Sequence, residues 1–469
     1  MQFTLNKASA FVLALSMVCG LANAADFKAG EVIVKYKDGI VRTRTEMNSM
    51  YNKLGVKRVK HFSGIMKGFE QLFFDESVKV QDMVADLQKN SSVEYAEPNF
   101  IMHTFPVLTA NNPAAHAASG TPCTFPGIPF PPGCTDGGTN PNPPNPNPPS
   151  QTRPKLENAP AEVNPPVADP ELGKLYGLTK INASGAWAIH KGSKEFIVAD
   201  IDTGIDYNHE DLSFNVWRNP APTKEDIVGF DFIHNDGLPF DDNEHGTHTA
   251  GTIGAVGGNG KGVSGVNQRV SLMALKFLTG EGSGTLADGV RAIDYAVEHG
   301  AKVINASWGG SGAGEEIKSL KEAIDRAGAK GVLFVAAAGN DGVNNDTASN
   351  KSYPASFDSD NLIAVAATDK DDKMAFFSNF GAKTTHVGAP GVDIYSTIPG
   401  NKYKAESGTS MACPHVVGAA ALIWSKHPEW DYKKVKAVLM KTADRVSSLE
   451  GKTISGGRIN VMNALQATD

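Results

Sequence analysis

One stretch decides how this chain must be divided. Between Thr104 and Ser150 only Asp136 is charged, and Asn140–Pro149 consists of nothing but proline and asparagine. Such a segment buries too little apolar surface to offset its ordering entropy, and its prolines favour extended polyproline II. It reads as a spacer, with a proline-rich recognition ligand as the rival reading. The 469 residues therefore fold as two units, one on each side of it.

Four segments are expected: 1–24, 25–103, 104–167 as the proline- and asparagine-rich linker, and 168–469. In the first, Lys7 precedes an apolar run from Ala8 to Leu21, and Ala22-Asn23-Ala24 supplies small residues before a cut. That is the form of a secretory signal peptide, cleaved after Ala24. No later stretch is apolar for long enough to span a bilayer. The expected product is thus secreted, extracellular or periplasmic in transit, without a membrane partner. Cys19 leaves with the signal, whereas Cys123 and Cys134 lie close together in an exported loop where a disulfide is plausible. Cys413 has small apolar neighbours and reads as a buried thiol.

Hydrophobic residues at 41% and charged residues at 20% suffice for a core and exclude global disorder. A net charge of −7 without a dense basic block gives no reason to expect nucleic acid.

Within 25–103, Glu31–Lys37, Val56–Phe62, Phe69–Phe74 and Val93–Ala96 read as strands. Arg42–Leu54 and the run Val80, Met83, Val84, Leu87 carry helical spacing. The order βαββαβ predicts a ferredoxin-like α+β sandwich, a topology that names no function. Within 168–469, apolar runs at Phe196–Ile201, Val270–Leu275, Lys302–Ala306, Gly331–Ala337 and Leu362–Ala366 alternate with helical stretches such as Thr285–His299 and Glu315–Ala329. This predicts an α/β unit with a doubly wound, mostly parallel sheet, whose chemistry gathers beyond the carboxyl ends of its strands.

Three motifs fall where that rule points. Asp202-Thr-Gly204 follows a strand directly, His245-Gly-Thr-His248 opens a run of small residues, and Ser410 lies in Gly408-Thr-Ser-Met-Ala412 before an apolar helix. Singly, each has a structural reading: a turn aspartate, a packed histidine, an N-cap serine. Pro414 is expected within the first turn of that helix, where no amide donor is needed. Together, with Ile201-Asp-Thr-Gly-Ile205 as the first block, they resemble the three signature blocks of the subtilisin-like serine proteases, in that family's order of Asp, His, Ser. The resemblance runs from Leu175 to the C-terminus.

The resemblance implies a serine endopeptidase acting through an acyl-enzyme intermediate. Ser410 is implied as nucleophile, His245 as general base and Asp202 as the group that orients and stabilises the imidazole. Asn340 in Ala336-Ala-Ala-Gly-Asn340 is the implied oxyanion donor, with the Ser410 amide as the second. Gly282-Ser283-Gly284 and Ser307-Trp308-Gly309 match the two edges that pair with a protein or peptide substrate as an added strand. Trp308 is either the wall of an apolar subsite or a core aromatic. Ser352-Tyr-Pro354 matches the floor of the primary pocket; without an acidic residue there, large apolar or neutral residues are expected before the cut.

Structural calcium is also implied. Asp211 and Asn259, with Val256 and Val263 bounding the glycine-rich loop, match one site. The loop containing Asp231, Asp236 and Asp242 resembles a second, although His234 stands where relatives often carry an acid. The front unit then resembles an inhibitory prodomain, with Phe100–His103 lying in the cleft until cut, near His103, in the spacer or at both. A monomer is expected. The rival readings are a catalytically silent scaffold and a maturation protease with one natural target.

Overall fold

The structure is a computed structural model that describes residues 26–39, 43–108, 153–310 and 317–468. The expected signal peptide, Cys19, Cys123, Cys134 and the Asn140–Pro149 run lie outside the described residues. Among the described residues no helix is long and apolar enough to cross a membrane.

The front unit has the predicted order: β1 (Phe27–Tyr36), α1 (Arg44–Leu54), β2 (Arg58–His61), β3 (Phe69–Phe73), α2 (Val80–Gln88) and β4 (Val93–Thr104). Local chemistry explains the helix boundaries. Thr43 and Glu46 close a capping box at the start of α1, and Gly55, with φ of 70°, ends it in the left-handed region. In α2, Val80, Met83 and Leu87 form the buried stripe and pack on Val32, Val34 and Leu72 of the sheet. The strands pair antiparallel in the order β4-β1-β3-β2.

The second unit is the predicted doubly wound layer structure. Its strands are β5 (Gly192–Asp202), β6 (Gly229–Asp231), β7 (Arg269–Lys276), β8 (Ser283–Thr285), β9 (Val303–Ala306), β10 (Trp308–Gly309), β11 (Leu333–Ala337), β12 (Leu362–Thr368), β13 (Val387–Pro390), β14 (Ile394–Ile398), β15 (Lys402–Glu406), β16 (Asp444–Arg445) and β17 (Gly457–Arg458). Nine of them form the main sheet, ordered β16-β17-β13-β12-β11-β9-β5-β7-β6, with β6 to β13 parallel. The direction of winding reverses at β5, flanked by β7 and β9, so its carboxyl end opens into the crevice where such folds bind ligands. Against the sheet lies the helix Thr409–Lys426, buried from Thr409 to Trp424. Its glycines and alanines let it approach closely; a methyl group on Gly418 would come within 2.6 Å of Val266.

The two units share a sheet. Beyond Phe100, β4 leaves its own partners and runs between β8 and β10, pairing Ile101 with Thr285, Met102 with Gly284, His103 with Ser283 and Gly309, and Thr104 with Trp308. The front unit also caps two helices of the second. Asn99 accepts from the Ala287 amide at 2.9 Å. The Glu97 carboxylate accepts from the amides of Lys318 and Ser319 at 2.9 and 3.0 Å, at the positive end of a helix dipole.

Burial pushes the Glu97 carboxyl up to about 7 despite those amides. A carboxyl whose pKa rises on docking takes up a proton on docking, so the docked state gains at low pH and loses that gain as pH rises through 7. Corrected amide exchange along β4, in a chain carrying Ser410→Ala, should therefore quicken as pH rises from about 4.5 to about 7 and level off above that, and Glu97→Gln should flatten the dependence. An identical profile in both chains would contradict the assignment.

Candidate active site

The site is assembled at the end of β5. Asp202 Oδ1 accepts from His245 Nδ1 at 2.8 Å, and both side chains are essentially unexposed. The turn after Asp202 can be made only by glycine: Gly204 has φ of 108°, and a Cβ there would meet the Pro239 carbonyl oxygen at 2.6 Å. Thr203 donates to Asp241 at 2.8 Å, and Asp241 also accepts from the Thr247 amide and hydroxyl at 2.8 and 2.7 Å. Asp241 thus ties the Asp202 turn to the first turn of the helix His245–Gly254. From below, the buried Lys276 ammonium donates to Thr203 O and Leu278 O and pairs with Asp242 at 2.6 Å.

Burial would lower the pKa of His245, but the charge and hydrogen bond of Asp202 outweigh it and hold the imidazole up at about 9. Its Nε2 has no hydrogen-bond partner among the described residues.

Ser410 is the second residue of the helix Thr409–Lys426, with Gly408 as the N-cap, so the capping role considered from sequence is not the one it takes. Its hydroxyl donates to Ser307 O at 2.9 Å and thus is not engaged with His245. Pro414 departs from expectation: it is the sixth helical residue, beyond the first turn. The amide it lacks would have bonded Ser410 O, and that carbonyl instead accepts the Ser307 hydroxyl at 3.0 Å. The proline is tolerated because a side chain replaces the missing donor.

Asn340 is oriented by the same helix. Its Oδ1 accepts from the Thr409 amide and hydroxyl at 2.9 and 2.8 Å, which turns Nδ2 outward to donate to Pro106 O at 3.0 Å. The predicted edges Gly282–Gly284 and Ser307–Gly309 flank β4. Of the two readings of Trp308, the structure takes the core: the indole is fully buried, donates to Ile201 O at 2.7 Å and lies 4.8 Å from the Phe277 ring. Ser352 accepts from the Ser356 amide through its carbonyl and lies under Gly339, while the Phe105 ring covers Gly309 beside Tyr353 O. Leu108 then exchanges both main-chain bonds with Ser407, at 2.9 and 3.0 Å. The chain from Ile101 to Leu108 therefore crosses the whole cleft. This extends the expected occupant, Phe100–His103, by five residues and shows that 104–108 of the expected linker lie in the site.

Of the candidate metal ligands, Asp211 and Asn259 come together: Asn259 Nδ2 donates to Asp211 Oδ1 at 2.7 Å, and the Val263 amide to Oδ2 at 2.8 Å. The Val256 amide donates to the Asp211 carbonyl at 2.8 Å. A second carboxylate missed in the sequence, Asp169, accepts from the amides of Gly258 and Asn259 in the same loop. Burial, with Asp169 adding like charge, pushes the Asp211 carboxyl up to about 7. Two buried carboxylates and an amide oxygen on a carbonyl-rich loop fit a hard cation such as calcium. The side chains alone bring no group of three acidic, His or Cys ligands together among the described residues, so main-chain oxygens must complete such a site. In the second loop, Asp231 and Asp236 are adjacent, but a guanidinium lies between them and Asp242 faces Lys276.

Asp200 was legible and passed over. It is the only charged residue of the run Phe196–Ile201, and its place two residues before Asp202 puts it on the same strand face. It accepts from Asn305 Nδ2 at 2.8 Å and meets the Thr249 hydroxyl at 2.9 Å, while Thr249 also lies 3.0 Å from Gly246 O. Burial and the Asp202 charge raise its pKa well above the carboxylate range. A neutral Asp200 donating to Thr249, which passes its own proton to Gly246 O, satisfies every contact. Asp200→Asn should therefore leave thermal stability within about 1 kcal/mol of the parent, whereas Asp200→Ala should cost about 2–4 kcal/mol. A large loss in the asparagine variant would show that the carboxylate is charged.

Comparisons with known proteins match both units of the chain. The model of the subtilase family matches residues 193–457, and that of the fervidolysin N-terminal prodomain matches residues 18–99. The thermophilic serine proteinase of Bacillus sp. (strain AK1) is 42% identical over 293 residues, 62% of this chain and 67% of that protein. Thermitase of Thermoactinomyces vulgaris is 41% identical over 293 residues, 62% of this chain and 96% of its own length. Subtilisin DY of Bacillus licheniformis is 41% identical over the same span, 98% of its length.

Proposed function

The chain belongs to the subtilase family and is a serine endopeptidase of the subtilisin type, and from that premise we propose that Asp202, His245 and Ser410 are its catalytic triad. The observation that carries the proposal is the unexposed Asp202–His245 pair, 2.8 Å apart, opposite an Asn340 amide that Thr409 aims into a peptide-filled cleft. Ser410 attacks the substrate carbonyl as its proton passes to His245 Nε2. Asp202 fixes the tautomer with the proton on Nδ1 and stabilises the imidazolium. The oxyanion is held by Asn340 Nδ2 and the Ser410 amide. The imidazolium then protonates the leaving amine, and a water activated by His245 releases the acyl group.

Substrates are proteins or peptides that add a strand between Gly282–Gly284 and Ser307–Gly309. Main-chain pairing of this kind accepts many sequences. The Phe105 ring over Gly309 supports a preference for large apolar residues before the cut. The front unit, as an intramolecular inhibitor, keeps the precursor silent; here its tail fills the cleft while the Ser410 hydroxyl is given to Ser307. Residues 1–24 act as a signal for secretion, 25–103 as the prodomain and 168–469 as the core of the catalytic domain, with a monomer sufficient because cleft and inhibitor come from one chain. Asp169, Asp211 and Asn259 would hold a structural calcium ion with the carbonyls of Val256 and Val263; its charge would neutralise two buried carboxylates and fix the loop.

Expression of Ser410→Ala tests the core of the proposal: precursor shortening and casein hydrolysis should both cease, and persistence of both would overturn the triad. Asn340→Ala should lower turnover by about 10²–10³ with little change in KM. Because His245 must be neutral to accept a proton and its pKa is raised to about 9 in the closed precursor, self-shortening should accelerate as pH rises toward 9. Chelation should lower the unfolding midpoint, and an unchanged midpoint would count against calcium.

A further inference from the structure

The loop containing Asp231, Asp236 and Asp242 resembles a metal loop in sequence, yet its donor set does not fit a divalent ion. Asp242 is turned away to the buried Lys276 ammonium at 2.6 Å. The position between the two remaining acids is taken by Arg153, a residue at the far end of the spacer. Its Nη1 donates to Asp231 Oδ2 at 3.0 Å, Asp236 Oδ1 at 2.8 Å and Leu238 O at 3.2 Å. Its Nη2 donates to Asp236 Oδ2 at 2.6 Å. These are the carboxylate and carbonyl oxygens a hard cation would seek, and the planar guanidinium engages Asp236 with both arms.

Two amides, of Ile233 and His234, satisfy Asp231 Oδ1, which leaves the charge on Oδ2 to be met by a cation. The Asp231 side chain is wholly unexposed, and a buried carboxylate without a counter-charge is costly. His234 Nδ1 also sits 2.8 Å from Asp231 Oδ2, closing another approach to that oxygen. We infer that Arg153 is the resident cation of this loop, a tethered side chain that replaces a metal ion and fastens the spacer's end to the catalytic domain.

The chain after Arg153 supports the fastening. Tyr207 donates to Pro154 O at 2.7 Å and Asn208 to Lys155 O at 2.8 Å. The Glu157 amide donates to Asn208 at 2.9 Å, and Glu162 pairs with Arg269 at 2.7 Å. Tyr207 packs edge-on against Phe240, 5.6 Å between centroids, so the clasp joins the turn that carries Asp202 to the acidic loop. Residues 153–167, expected to be linker, are built into the catalytic domain. The cut that frees this domain consequently falls upstream of Arg153.

The test compares thermal unfolding of the full chain carrying Ser410→Ala with the same chain also carrying Arg153→Gln, each in chelator and in excess calcium. In chelator the Arg153→Gln chain should melt about 5 °C lower, and calcium should raise its midpoint by more than it raises the parent's. Equal midpoints in chelator would overturn the inference. A lowered midpoint that calcium restores no further than in the parent would also overturn it, leaving an ordinary ion pair. Arg153→Lys, which keeps the charge but not the two-armed contact, should fall between the two, and a midpoint equal to that of Arg153→Gln would argue against a cation role. N-terminal sequencing of the mature active form reads the second claim: a terminus before Arg153 is expected, and one beyond it overturns the fastening. That arm rests on self-processing; the melting arm does not.

Discussion

An ion pair with almost no exposure, Asp202 with His245, stands at the centre of this molecule, and much of the surrounding architecture follows from keeping it. An ion pair removed from water is held only if its remaining valences and its geometry are fixed. Here the fixing is done by a second layer: Gly204 makes a turn no other residue could make, Asp241 binds that turn to the histidine helix, and Lys276 holds it from beneath. Asp200 adds a further carboxyl on the same strand face, which burial and the neighbouring Asp202 charge push toward the neutral form. The reversal of winding at β5 gives all of this a place to stand, because only there do loops from both directions converge.

The rigid parts of this plan were legible in the residues. Hydrophobic periodicity gave the βαββαβ order of the front unit and the strand–helix alternation of the second, since both depend on burial that repeats with a fixed period. The blocks around Asp202, His245 and Ser410 stood out only together, through their resemblance to one family's signature blocks, since each alone had a structural reading. What could not be read was partnership across long separations. Nothing local to Arg153 announces Asp231 and Asp236, and nothing near Asp169 announces the loop at Gly258. Pro414 was misplaced for a related reason: its position in the helix depends on where the helix begins, and its acceptability depends on a hydroxyl from Ser307, more than one hundred residues earlier. Asp200 is different. A charge inside an apolar strand is a local signal, legible from Phe196–Ile201 alone.

The cleft shows how an active arrangement and silence coexist. Both strand edges, the oriented Asn340 and the Asp202–His245 pair are in place around the chain's own segment. The one element out of line is a hydroxyl, donated by Ser410 to Ser307 O. The Pro106 carbonyl lies where Asn340 points.

The placement of β4 also governs how the front unit departs. A strand that is the edge of one sheet and the middle member of another cannot slide free along its axis without breaking two ladders at once. It can leave by fraying from the end nearest the cut, one residue pair after another, each step exposing main-chain groups that water must take over. Severing the chain therefore starts a peeling process and does not complete it. The Glu97 and Asn99 helix caps come next on that path, and behind them Lys35, Ile65 and Tyr95 still hold the second unit, so release of the proposed inhibitor would be timed far from Ser410, in contacts that never touch a substrate.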